Sequence, residues 1–187
     1  MLLILAFGVR LAMAPLGGHP GDLPVLASWS AAVRAGGWLG VYAASDANYP
    51  PLGMALIAAA THLHDRLWPG QPIGGAAWLV AIKLPAILAD LGVVWMVYRL
   101  GQGRQGMGWL ALGVALNPAL ILLSGWWGQL DSVVAALMLA ALMAAIRRRP
   151  GWAGAALGAA AMVKLQGAVV APVVLIMTFA QRGPHGG

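Results

Sequence analysis

The chain has 187 residues, of which 61% are hydrophobic and 9% charged, and it contains no cysteine. Soluble domains carry roughly one-quarter charged residues, so this composition excludes water as the main solvent, while the missing cysteines exclude disulfide and thiolate chemistry. The formal net charge of +6 does not point to nucleic acid: the basic residues stand singly or at the ends of apolar segments, where they act as topology signals.

Apolar stretches separated by Gly, Pro and charge predict segments near 1–16, 51–68, 76–100, 107–127, 130–146 and 152–180. Several approach the roughly 20 residues needed to cross hydrocarbon. Lipid offers an unpaired amide no partner, so each is expected to be helical. The expected fold class is all-α, a polytopic bundle of about six membrane segments forming a single module over 1–187. Met1 to Leu16 lacks a basic leader and reads as a first membrane helix, although Ala12-Met13-Ala14 resembles a cleavage site.

The one long polar stretch, Gly17 to Pro50, carries His19, Asp22, Arg34, Asp46 and Asn48, and loops on a rigid scaffold commonly carry chemistry. Within it Leu26, Trp29 and Val33 share a helical face with Arg34 off it, which predicts a short amphipathic helix along the membrane surface. Gly36-Gly37 is expected to end that helix, with Trp38 and Tyr42 following at headgroup level. Asp22 at its start has two readings, an N-cap or a general base for a hydroxyl nucleophile. Tyr49-Pro50-Pro51-Leu52 gives the next segment a rigid start. His62 and His64, two apart, point to different helix faces, which argues against a shared metal there. Asp22 and Asp46 are too generic a pair to claim a cation, so no cofactor is assigned.

Ionisable groups inside membrane segments need a partner or a purpose. Lys83 and Asp90 lie two turns apart, too far for direct contact, and are expected to stabilise packing against neighbouring helices. Asn117-Pro118 kinks the fourth segment, and Trp126-Trp127-Gly128-Gln129-Leu130-Asp131 follows where the chain turns back. The basic cluster Arg147-Arg148-Arg149, with Arg99 and Arg104, is placed on the cytoplasmic side, which turns Gly125 to Asp131 outward. Segment 51–68 must then start and finish on the outer side, or one basic loop must break the rule. The small-residue run from Gly151 to Ala161 predicts close helix packing. Lys164 is expected well inside the last segment, pairing with Asp131 or holding an anionic headgroup, for which phosphate is the natural anion.

In order, the pieces Gly21-Asp22 with the Trp29 helix, Tyr49-Pro50-Pro51-Leu52, Lys83 to Gly92, Asn117 to Leu122, Trp127 to Ser132, and Lys164-Leu165-Gln166 resemble the GT-C membrane glycosyltransferases. The likeness is to the lumenal dolichyl-phosphate-glucose glucosyltransferases of N-glycan assembly and to prokaryotic polyprenyl-phosphate-sugar relatives. It implies transfer of mannose or glucose, with inversion, from a polyprenyl- or dolichyl-phosphate donor to an acceptor glycan or lipid. By position Asp22 would be the catalytic base. Tyr49, Gln129 and Asp131 would border the substrate cavity, with Lys164 and Gln166 near the donor phosphate. The site would face outward from a multi-pass protein of a bacterial-type plasma membrane.

Members of that class usually have more membrane helices, and Gln181 to Gly187 reads as an arbitrary stop, which suggests the N-terminal part of a larger module. Val163-Lys164-Leu165-Gln166 also stands where relatives often show a Pro or a Tyr-Lys-Gln pattern. Two other readings stay open: a transport or binding protein with Lys83, Asp90, Asp131 and Lys164 along a polar path, or an inactive fragment.

Overall fold

The computed structural model describes residues 1–103 and 105–181; Arg104 and the chain-end reading at 182–187 lie outside the described residues. Those described contain helices and no strand: α1 (Leu2–Met13), α2 (Asp22–Ala44), α3 (Pro51–Leu67), α4 (Ala76–Leu100), α5 (Met107–Ala115), α6 (Pro118–Ile121), α7 (Asp131–Ile146), α8 (Pro150–Val163) and α9 (Ala171–Ala180). Tighter or wider turns at Ala14–Leu16, Leu122–Trp127 and Leu165–Val170 join them.

Among the described residues two helical runs, Ala76–Leu100 and Met107–Trp127, are long and apolar enough to cross a membrane. Leu2–Leu16, Asp131–Ile146, Pro150–Val163 and Leu165–Ala180 are apolar but shorter. α3, with His62, His64, Asp65 and Arg66 in its last turns, belongs to neither group.

α4 is the axis of the molecule. Along it Trp78 donates its indole N–H to Ser30 (3.2 Å), Lys83 its ammonium to the Ala14 carbonyl (2.7 Å), and Asp90 accepts from Arg10 (2.9 Å). Val94, lower down, packs with Ala6 and Ala115. At about 1.5 Å per residue, Lys83 and Trp95 are separated by roughly 18 Å of helix. α3 starts beside the end of α8, where Gly53 meets the Val163 carbonyl, and further along Thr61 donates to the same Ser30 hydroxyl that Trp78 reaches (3.1 Å).

The main core gathers Trp29, Val33, Met54, Ile57, Trp78, Ile82 and Val163. A second cluster sets Ala141 and Ala145 of α7 against Ala153 of α8, the close packing expected from the small-residue run.

Of four local expectations, two hold and two are corrected. Leu26, Trp29 and Val33 do share a face, but it is buried against α3 and α4 and does not lie on lipid. Gly36-Gly37 does end the first helical stretch: Gly37, at φ 72° and ψ 176°, is non-helical, and a second stretch follows to Ala44. Segment 107–127 breaks at Asn117-Pro118, as expected: α5 stops at Ala115 and Asn117 caps a new start by accepting from the Ala119 amide (2.9 Å). Lys164 is not inside a continuous helix; it stands extended (φ −149°, ψ 138°) at the break after α8.

Candidate functional site

Asp22 is the first residue of α2, yet its carboxylate bonds outside its own first turn. Oδ2 accepts from the Trp127 indole N–H at 2.6 Å and from the Gln129 side-chain amide. The side chain is used across the molecule and makes no cap hydrogen bond. Oδ1 lies 3.7 Å from His19 Nδ1, which already accepts from the Gly21 amide (3.3 Å), so this second oxygen keeps its lone pairs. The His19 ring stacks on Trp127 with centroids 4.8 Å apart, fixing the indole that holds the carboxylate.

Gln129 is the hub. Its carbonyl oxygen accepts from the Tyr49 hydroxyl (3.2 Å) and from the Lys164 ammonium (2.9 Å), so the amide cannot rotate without losing partners on both sides. Lys164 also donates to Asp131 Oδ1 (3.0 Å) and lies 4.9 Å from the centroid of the Tyr49 ring. Gln166 donates its amide to the same Asp131 oxygen (2.9 Å). Asp22, Tyr49, Gln129, Asp131, Lys164 and Gln166 are thus brought into one hydrogen-bonded network.

The backbone explains why these groups converge. The wide turn Leu122–Trp127 ends at Gly128, which takes a left-handed conformation (φ 82°). A Cβ there would stand 2.6 Å from Lys83 Cγ, so glycine is required both by φ and by the close approach of α4. Lys83 in turn donates to the Ala14 and Gly17 carbonyls, pinning the strand of chain that delivers His19 and Asp22. Lys164, at the carbonyl end of α8, is a cation where the helix dipole favours one.

Two cavities open onto the network. A cavity of about 300 Å³ is lined by Asp22, Trp29, Asp46, Asn48, Tyr49 and Gln129, among others. Its neighbour, about 240 Å³, is lined by Asn48, Tyr49, Pro50, Lys164, Leu165 and Gln166. Tyr49 and Asn48 form the shared wall between a carboxylate side and a cation side.

Sequence reasoning missed three participants. Trp127 is a donor to Asp22, although a pair of tryptophans at a helix end reads first as an interfacial anchor. Trp29 donates to Asp46 (3.1 Å) and meets Tyr49 edge-on at 5.0 Å. Arg10, fully buried, pairs with Asp90, which also accepts from Ser124 (2.6 Å). Lys83 and Asp90 are both buried and bonded, and each ties α4 to another part of the chain, as expected. His64 is buried and His62 exposed, on different faces. Among the described residues no three His, Asp or Glu side chains converge as a metal site.

Comparison with curated proteins and with solved structures finds no match. A family model, glycosyltransferase family 87, matches residues 47–183, a span that includes Tyr49, Gln129, Asp131, Lys164 and Gln166 and begins after Asp22. With the match covering well over half of its length, the chain belongs to glycosyltransferase family 87.

Proposed function

We propose that this chain moves a hexose, mannose or glucose, from a polyprenyl- or dolichyl-phosphate donor to an acceptor glycan or lipid, inverting the anomeric centre. The observation that carries the reading is the two-sided site: Asp22 lines one cavity and Lys164 the next, joined through Gln129. Asp22 Oδ1 takes the proton of an acceptor hydroxyl, whose oxygen attacks the anomeric carbon from one face. The bond to the lipid phosphate breaks on the other face, and its electron pair leaves with the phosphate, where Lys164 balances the charge. Tyr49, Gln129 and Asp131 orient sugar and acceptor between them, and Gln166 holds Asp131 in place.

In this reading about six segments occupy the bilayer of a bacterial-type plasma membrane, with α2 and α3 above them and the site on the extracytoplasmic face. The two long apolar helices and the family support a membrane setting. The direct test is transfer of radiolabelled sugar from a panel of short-chain polyprenyl-phosphate hexoses in membranes containing the protein. Asp22→Ala is expected to lower transfer by about 10²–10⁴-fold. Undiminished transfer by a folded Asp22→Ala variant would remove Asp22 from the mechanism.

A further inference from the structure

At the end of the bundle remote from Asp22, a groove of about 220 Å³ lies between α4 and the α7–α8 turn. Its floor is Met96, Ala140, Met143 and Ala144, and its rim carries Arg147 and Arg149 with Trp95 and Trp152. Both arginines are exposed and make no ion pair with any described residue. The chain holds five acidic side chains in all, and every one is bonded elsewhere. Asp22 accepts from Trp127, Asp46 from Trp29, Asp65 from Arg34, Asp90 from Arg10 and Asp131 from Lys164. No side-chain carboxylate of this protein remains for Arg147 and Arg149, so the anion that complements them is external.

The backbone of the turn gives an independent sign. The Arg148 amide donates to the Ala145 carbonyl (3.0 Å) and the Arg149 amide to the Ala144 carbonyl (2.9 Å), a helix end of the kind that normally places glycine in the left-handed position. Here that position is Arg148, at φ 55°, the one non-glycine residue with positive φ among those described. A side chain is retained where glycine would be free of strain, within a run of three arginines.

We propose that this groove binds an anionic phospholipid, with the headgroup phosphate held by Arg147 and Arg149 and the start of an acyl chain along Met143 and Ala140. Arginine forks match phosphate oxygens, and basic pockets between membrane helices are suited to acidic headgroups. Trp95 and Trp152, 47% and 70% exposed, flank the groove at the depth where indoles meet headgroups. A soluble anion would have no use for the apolar floor.

The test is native mass spectrometry of the purified full chain in detergent, titrated with phosphatidylglycerol or with phosphatidylcholine of the same acyl composition. Wild type should bind phosphatidylglycerol about tenfold or more tightly than phosphatidylcholine. Arg147→Gln/Arg149→Gln should abolish the preference, whereas Arg66→Gln, an exposed arginine on α3, should keep it. Inorganic phosphate should not displace the lipid. Equal binding of the two lipids by wild type overturns the proposal, as does a retained preference in the double variant. Displacement by inorganic phosphate alone would assign the arginines to a free anion and equally overturn it. The wild-type comparison decides the matter even if the double variant does not fold.

Discussion

Asp22 and Lys164 never touch, and Gln129 connects them: its amide N–H faces the carboxylate and its carbonyl faces the ammonium. Gln129→Glu reverses that complementarity by placing a second carboxylate against Asp22. Transfer is expected to fall about 10²-fold or more, with the protein still folded, as checked by labelled-sugar transfer beside a thermal melt in detergent. Trp127→Phe keeps the stack on His19 and removes one donor to Asp22, so a smaller loss, on the order of tenfold in kcat, is expected. The six residues of this network were conspicuous in sequence because polar groups at the ends of apolar segments have few bland explanations. Trp127 was not, since an indole that anchors at an interface and one that donates to a carboxylate look identical in a string of letters. Arg10 was hidden for a related reason: a single cation within an apolar run shows its role only when the partner from another helix is seen.

Helices α3 and α8 cross where α3 has no side chain. A Cβ on Gly53 would stand 2.5 Å from the Val163 carbonyl, one residue before Lys164. Gly53→Val is therefore expected to destabilise the protein by about 1–3 kcal/mol and to lower transfer by shifting Lys164. Gly158→Ala, which meets nothing within 4 Å on the open side of α8, is the matched control and should leave both unchanged. The limits of α4 agree with its hydrophobic run, 76–100, because Gly75 precedes it and Gly101 follows it. The breaks at Gln129 and Lys164 were less legible. Both serve the network, and only the tertiary partners that compensate for lost helical hydrogen bonds make them stable. The stripe of Leu26, Trp29 and Val33 gave the right face but the wrong partner, since periodicity reports which side is apolar and not whether protein or lipid covers it.

Across the whole molecule, charge is sorted by position. The carboxylates are all committed internally, while Arg147 to Arg149 collect at the end remote from Asp22. Between these ends lies the buried pair of Arg10 and Asp90, whose side chains are 0% and 1% exposed. Breaking it by Asp90→Ala should cost about 3–5 kcal/mol, because Arg10 is left as an uncompensated buried charge, whereas Arg10→Met with Asp90→Leu should recover most of that loss. Reversible unfolding in detergent micelles would check both. The Arg10–Asp90 pair also bears on biogenesis. In the proposed membrane arrangement Arg10 is made 80 residues ahead of Asp90, and an unpartnered arginine within hydrocarbon costs up to about 3 kcal/mol. On that arrangement the first helix is retained by the insertion machinery, or by its neighbours, until the fourth is made. Nascent chains halted after Gly70 should leave the first helix extractable by alkali, and chains extended through Gly103 should hold it in the bilayer.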